Sequence, residues 1–238
     1  MEVIDLMKLG LFSDYHFNSG EATGPNGYDN KTLKKLEEAY DFFLKEKCDY
    51  VICLGDLIDV EKEHAKEIAN LNKIADALKN YDVETRVIMG NHDNLLFDVD
   101  EFYSILGEQY RPRNIYSSSK NLIFIDACFF KNGEHYKRGD NDWTNTYYPE
   151  TDKLDSILKE VTGDVYIFMH QNIDPAISED HRVSNDSEIR KILKNNNNVK
   201  TVFQGHYHPG KNSEFDGIHY VTLPAVCENE KAYYIIEI

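Results

Sequence analysis

The sequence predicts an α/β protein in which a pair of mixed β-sheets is flanked by helices. Three observations predict it. Five short apolar runs each stop abruptly at a cluster of Asp, His, Asn or Gly, as strands do where they end in loops. In the first half these runs alternate with amphipathic helical stretches, giving β-α-β-α-β and hence parallel strands with helical crossovers. Near the C-terminus two alternating runs follow one another, the pattern of antiparallel strands.

Taken in order, the first strand covers about residues 8–13 and ends in Asp14-Tyr15-His16. A Gly- and Asn-rich loop follows at 17–30, where Asp29 or Asn30 can cap the next helix. In that helix Leu33, Leu36, Tyr40, Phe43 and Leu44 recur at helical spacing to about Lys47, a stripe that packs on a sheet. The second strand, 50–54, ends in Gly55-Asp56-Leu57-Ile58-Asp59. A second helix over about 63–79 carries Ile68, Leu71, Ile74, Ala75 and Leu78 on one face. The third run, 86–89, leads into a turn at Gly90-Asn91-His92-Asp93.

The alternation then weakens. A short helix is expected over 98–106 and a strand over 121–126, followed by a long polar loop rich in aromatics at 129–149. A helix over 151–161 precedes the strand at 165–169 that delivers His170, and a second long loop fills 171–186. Ile189, Ile192 and Leu193 mark a helix capped by Ser184 or Ser187 and stopped by the Asn195–Asn198 run. The strand at 200–204 ends in Gly205-His206-Tyr207-His208, and runs at 218–223 and 232–238 close the chain as antiparallel strands. One domain is expected over 1–238, because clusters spread from Asp14 to His208 must meet in space.

The formal net charge is -16 over 238 residues. Such a surface repels nucleic-acid backbones and anionic membranes, and points to a small substrate. Two bound divalent cations reverse the sign locally, so an anionic substrate is compatible. Cys48, Cys53, Cys128 and Cys227 have no C-x-x-C spacing and read as small buried hydrophobes rather than a disulfide framework. That usage suits a reducing cytoplasm. The first residues lack the basic and apolar regions of a signal peptide, and no run approaches a membrane span.

The five run ends together hold Asp14, His16, Asp56, Asn91, His170, His206 and His208. A dinuclear divalent site needs oxygen and imidazole ligands, a bridging carboxylate and an open position for water, and these residues supply that set. Asp14-x-His16 and His206-x-His208 are alternate residues, which face one way in extended backbone. Gly55 lets the backbone turn tightly beside Asp56. Oxygen and nitrogen donors without a thiolate suit Mn²⁺, with Fe or Zn²⁺ as alternatives.

The motifs D-x-H, G-D-x-x-D, G-N-H-D, H and G-H-x-H, in this order, resemble the calcineurin-like metallophosphoesterase family. The resemblance implies a two-sheet β-sandwich flanked by helices, with two metals at the strand ends. It implies that Asp14, His16, Asp56 and His208 hold one metal, and that Asp56, Asn91, His170 and His206 hold the other, with Asp56 bridging. His92 resembles the family's catalytic histidine and Asp59 the carboxylate that orients it. The protein-phosphatase branch has Arg-Gly after the second Asp and an N-H-E turn. Here Val60-Glu61 and Asn91-His92-Asp93 stand instead, so the small phosphodiesterase and nucleotide-pyrophosphatase branches are closer. His170 follows Met169 where many members have Gly.

The expected function is therefore a dinuclear metal-dependent phosphoesterase acting on phosphodiester or pyrophosphate bonds of a small nucleotide-like substrate. The attacking group is hydroxide from a water acidified by the two metals. The alternatives are a phosphomonoesterase of the same fold and a metal-binding scaffold that has lost catalysis. Outside the motifs, His64 is expected in solvent, His219 in the core or on a strand face, and His135 and His181 in long loops, where a substrate contact is the lesser alternative. Tyr136, Trp143, Tyr147 and Tyr148 can stack on a base or pack the loop. Lys137, Arg138 and Arg182 are expected in solvent rather than on a second phosphate.

Overall fold

The computed structural model describes residues 6–18 and 31–238. Two mixed sheets pack face to face with helices outside, as the sequence predicts. The first sheet has the order β10-β1-β2-β3, from β1 (Lys8–Phe12), β2 (Tyr50–Cys53), β3 (Glu84–Val87) and β10 (Tyr233–Glu237). β1, β2 and β3 run parallel, and β10 is antiparallel to β1. The second sheet has the order β4-β5-β6-β7-β9-β8. Its members are β4 (Ile115–Tyr116), β5 (Lys120–Phe124), β6 (Asp164–Phe168), β7 (Val199–Gln204), β8 (Lys211–Phe215) and β9 (Ile218–Thr222).

The period of two along each strand sorts the core. Leu9, Leu11 and Ile52 join Leu122, Tyr166, Phe168 and Phe203 in an apolar layer between the sheets. Phe12, Val51 and Cys53 face the other way, onto α1 (Lys31–Lys45) and α2 (His64–Leu78), through Leu36, Tyr40, Phe43, Leu71 and Ile74. Gly10 lets α1 approach, since a Cβ there would lie 2.7 Å from the Phe43 ring. On the far face, α5 (Thr151–Glu160) and α6 (Asp186–Lys194) cover Val165, Ile167 and Val202 with Leu154, Leu158, Ile189 and Leu193. No helix among the described residues is long and apolar enough to cross a membrane.

Several local expectations are corrected. Gly90-Asn91-His92-Asp93 is not a plain turn: Gly90 is the N-cap of α3 (Asn91–Leu96), which precedes α4 (Val99–Leu106). Its Asp93 carboxylate accepts from the Gly90 N–H (2.9 Å), a helix-starting contact that a run of turn-forming residues hides. β3 stops at Val87, short of Ile88 and Met89, where the chain leaves the sheet toward α3. β9 is parallel to β7 and antiparallel to β8, a strand whose polar, exposed sequence carries no apolar alternation. The N-cap of α6 is Asn185, not Ser184 or Ser187. Leu44 is 39% exposed although it shares the α1 stripe. His64 is held between Glu67 (2.8 Å) and Glu101 (3.1 Å) rather than in solvent. Cys53 and Cys128 are buried, but Cys48 and Cys227 are only half-buried. The expected cap at Asp29 or Asn30 and most of the 17–30 loop lie outside the described residues.

Candidate metal centre

The C-terminal ends of β1, β2, β3, β6 and β7 open on one rim, so both sheets contribute to one site. Each strand runs out of apolar sequence there, and the next residues turn sharply. Asp14, His16, Asp56 and His206 have positive φ angles of 56°, 48°, 52° and 65°. This corrects the extended-backbone argument for D-x-H and H-x-H. The pairs converge because left-handed turns swing them inward, not because alternate residues share a face. Side-chain-bearing residues in this region cost about 1–3 kcal/mol each, and such strain persists where surrounding structure dictates it.

The glycines among them serve close approach. A Cβ on Gly55 would fall 2.6 Å from His170 Nδ1, one on Gly90 2.1 Å from Asp56 Oδ1, and one on Gly205 2.1 Å from Ser13 Oγ. Gly55 also has φ +108°, which side chains rarely adopt.

All seven residues expected as ligands meet in this rim. Asp56 Oδ2 lies 3.2 Å from His170 Nε2 and 3.6 Å from His16 Nε2, so its carboxylate stands between two groups of side chains. On one side His16 Nε2 and His208 Nε2 are 3.2 Å apart, with Asp14 Oδ1 3.6 Å from His208 Nε2. On the other, His170 Nε2 lies 3.1 Å from Asn91 Oδ1, and the His206 ring is 5.1 Å from that of His170. Asp14, His16, Asp56 and His170 are all at most 2% exposed.

The donor chemistry fits cations. His170 Nδ1 donates to the Leu54 carbonyl (2.7 Å), which points Nε2 at two oxygen acceptors, Asp56 Oδ2 and Asn91 Oδ1. Three such atoms repel one another unless a proton or a metal lies among them. His206 Nε2 is buried and has no hydrogen-bond partner among the described residues. His208 Nδ1 donates to Glu228 Oε1 (2.8 Å), the arrangement by which a carboxylate fixes a ligating imidazole.

Charge follows the same geometry. Burial would raise Asp56, but the nearby His170, His92 and His16 hold it well below the ordinary carboxylate value. Burial raises Asp14, against His170 and His208. Burial would lower His170, yet the Asp56 carboxylate pushes it up to about 9. Burial lowers His16 to about 3, and His206 well below 6.5, so both stay neutral and keep a lone pair. In the metal-free chain the Asp56 charge is thus offset by a proton on His170, a place that a cation could take instead.

His92 stands at the N-terminus of α3, its ring 4.5 Å from that of His16. Its backbone N–H donates to Asp56 Oδ1 (2.8 Å), and its Nδ1 donates to Asp59 Oδ1 (3.2 Å). Among the described residues Nε2 has no hydrogen-bond partner, and the side chain is 34% exposed. Burial opposes its charge, but Asp56 and Asp59 raise it to about 9. Burial would raise Asp59, but the hydrogen bond from His92 and the neighbouring imidazoles hold it below the usual carboxylate range.

Three neighbours escaped the sequence reading. Asp93, the motif's last residue, accepts from the N–H groups of Leu57 (3.0 Å), Ile58 (3.3 Å) and Gly90 (2.9 Å), tying the Asp56 turn to the Asn91 turn. Glu228 is twenty residues from His208 in a short 3-10 turn, Val226–Glu228, with no motif around it. Cys227 offers its thiol within 4.8 Å of the ligand nitrogens of His16 and His208, although no spacing marks it. A cavity of about 370 Å³ opens over Asp56, Asn91, His92, His206 and His208, and Trp143, His181 and Pro209 complete its wall with Glu228. The two long loops therefore bring Trp143 and His181 to the site. The other loop residues do not line it. His135 pairs with Asp126 (2.9 Å), Tyr136 and Tyr148 are buried, and Arg182 pairs with Asp186 (2.6 Å).

A sequence model for one family, described as calcineurin-like phosphoesterase, matches residues 7–210. The chain is 26% identical over 216 residues to a probable cyclic nucleotide phosphodiesterase of Fibrobacter succinogenes, covering 85% of this chain and 73% of that protein. It is 24% identical over 241 residues to the 3',5'-cyclic adenosine monophosphate phosphodiesterase of Haemophilus influenzae, covering 93% and 77%. Its fold superposes on that of a dimetal phosphatase from Danio rerio with a TM-score of 0.81 at 18% identity, over 96% of this chain and 91% of that one.

Proposed function

The chain belongs to the calcineurin-like phosphoesterase family, and from that premise we propose that it hydrolyses the phosphodiester bond of a small nucleotide-like substrate. The observation that carries this reading is the convergence of Asp14, His16, Asp56, Asn91, His170, His206 and His208 on a single rim, with Asp56 between the two groups. In this proposal Asp14, His16, Asp56 and His208 hold one divalent ion, and Asp56, Asn91, His170 and His206 the other. When bound, the ions supply Lewis acidity toward phosphoryl oxygens and a water acidified to near neutrality. Mn²⁺ suits the oxygen and nitrogen donors, with Fe or Zn²⁺ as alternatives. Residues 1–238 act as one domain, since both sheets give ligands, and cysteine usage suits the cytoplasm.

The remaining roles belong to the chain's own groups. His92, raised above the ordinary histidine value by Asp56 and Asp59, gives its Nε2 proton to the leaving oxygen, and Asp59 orients the ring by accepting from Nδ1, the nitrogen that keeps its proton afterwards. The cavity favours a diester over a pyrophosphate. No Lys or Arg lines it among the described residues. Two divalent ions held by these residues would offset the single charge of a diester phosphate, and no Lys or Arg among the described residues of the wall is placed to balance a second one. The names of the similar bacterial proteins, both cyclic nucleotide phosphodiesterases, support the same reading.

Chelation is expected to abolish hydrolysis of a nucleoside cyclic phosphate, and added Mn²⁺ to restore it. Metal content by mass spectrometry checks the preparation, and full activity in demonstrably metal-free protein would overturn the proposal. The pH dependence follows from His170. Below about 9 the metal-free chain holds a proton there, so a metal arriving at Nε2 must displace it. Lower pH favours the proton, so the Mn²⁺ concentration for half-maximal activity rises as pH falls below about 9. Adding Mn²⁺ to metal-free protein in weak buffer near pH 7.5 is expected to acidify the solution. A Mn²⁺ requirement that stays flat into clearly acidic pH, with no proton release, would rule out histidine ligation.

A further inference from the structure

Four aromatic residues of the 129–149 loop are candidates to meet a base, and the fold separates them. Tyr136 is 2% exposed and Tyr148 6% exposed, both spent in packing. Trp143 alone of the four lines the cavity over the metal centre. Its ring centroid lies 5.5 Å from that of His206 and 5.4 Å from that of His181. It meets these rings at 65° and 57°, so no ring among the described residues stacks flat upon it.

The position is fixed before any ligand arrives. Trp143 heads the 3-10 turn Trp143–Asn145, and the Asp142 carbonyl just before it accepts from the Tyr136 hydroxyl (2.7 Å). The Thr146 carbonyl just after it accepts from the Ser184 N–H (2.7 Å), which joins this loop to the 171–186 loop. His181 is held by its N–H to the Ser178 carbonyl (3.1 Å) and by its own carbonyl, which accepts from Asn172 (3.2 Å). A rigid indole loses little freedom on stacking, which makes it an effective platform.

We propose that Trp143, flanked by His181, is the surface on which the base of the substrate stacks, placing the attached phosphate over Asp56 and His92. This deepens the phosphodiesterase reading and rests on it. The surroundings restrict what the platform takes. Beyond the same two turns lies a second cavity of about 500 Å³, lined by Glu179, Asp180 and Asp186 against the single guanidinium of Arg182. Its carboxylates disfavour a further phosphate on that side. The substrate is then a planar ring system joined to one diester phosphate, not a dinucleoside polyphosphate or an unadorned phosphate ester.

Trp143 is the chain's only tryptophan, so its emission reports on this platform alone. Adenosine 5'-monophosphate titrated into the metal-loaded protein is expected to quench that emission saturably, while ribose 5-phosphate is not. Equal responses to the two, or none to either, would overturn the proposal. Kinetics give an independent arm. Trp143→Leu is expected to raise KM for a nucleoside cyclic phosphate on the order of tenfold relative to its effect on glycerophosphoethanolamine, and Trp143→Phe to recover most of the difference. Equal effects on the ring-bearing and ring-free diesters would show a merely structural tryptophan. If the wild-type protein hydrolyses no diester, the phosphodiesterase reading fails by itself, and the emission titration still decides the platform.

Discussion

Asp56→Asn is expected to empty both halves of the centre together. The substitution keeps the size of the side chain and an oxygen to accept from the His92 N–H, so the turn itself survives. What it removes is the charge that stands 3.2 Å from His170 Nε2 and 3.6 Å from His16 Nε2. Residues that only support a metal ligand typically cost about 10–100-fold in metal affinity when changed. A ligand shared by two ions is worth more than that, so the Mn²⁺ concentration for half-maximal activity should rise by at least about 100-fold. Metal content after buffer exchange should fall for both ions in the same preparation, while the far-ultraviolet circular dichroism is unchanged. Loss of one ion with retention of the other would place Asp56 on a single metal. Retention of two tightly bound ions would remove it from the centre.

The parts of the molecule that were legible in the sequence are those where one physical signal acts alone. Apolar runs of four to six residues that stop at polar clusters located the strand ends, because a buried parallel strand has little else to vary. Helical spacing located α1, α2 and α5 for the same reason. The strand β8 was not legible, since Lys211–Phe215 is an exposed edge held by β9 and needs no apolar face. The parallel setting of β9 on β7 was hidden too, because alternation reports which side is buried and not which way the neighbour runs. At the site, spacing marks the seven clustered residues, but left-handed turns rather than a shared extended face bring them together. Left-handed turns at Asp14, His16, Asp56 and His206 are a cost that local propensity argues against, and only the packed surroundings impose them. Asp93 and Glu228 act on backbone N–H groups and on a ring nitrogen across 36 and 20 residues, distances at which composition carries no signal. Trp143 could be listed among four aromatics, but only the folded loops show which one faces the cavity.

His92→Ala is expected to keep both metals and lose turnover. Its imidazole reaches Asp59 through Nδ1 and lies 4.5 Å from the His16 ring, but it is not one of the proposed ligands. The backbone N–H that holds Asp56 remains in the alanine variant. General acid groups contribute about 10²–10⁴-fold, so kcat should fall by that order on a substrate whose leaving group is a ribose alkoxide. The loss should shrink for a nitrophenyl diester, whose leaving oxygen departs without a proton. Asp59→Asn should show a weaker form of the same pattern, because it alters the ring's tautomer and charge but leaves the ring. The pH profile gives a second reading. His92 is pushed up to about 9 by Asp56 and Asp59, and bound cations oppose that charge, so the alkaline limb falls at or below about 9. Activity requires the protonated ring, so it declines as pH rises through that limb, and the decline should vanish in His92→Ala on the nitrophenyl substrate. Equal losses on good and poor leaving groups, with metals retained and the alkaline limb intact, would show that His92 acts through its positive charge on the developing oxyanion and transfers no proton.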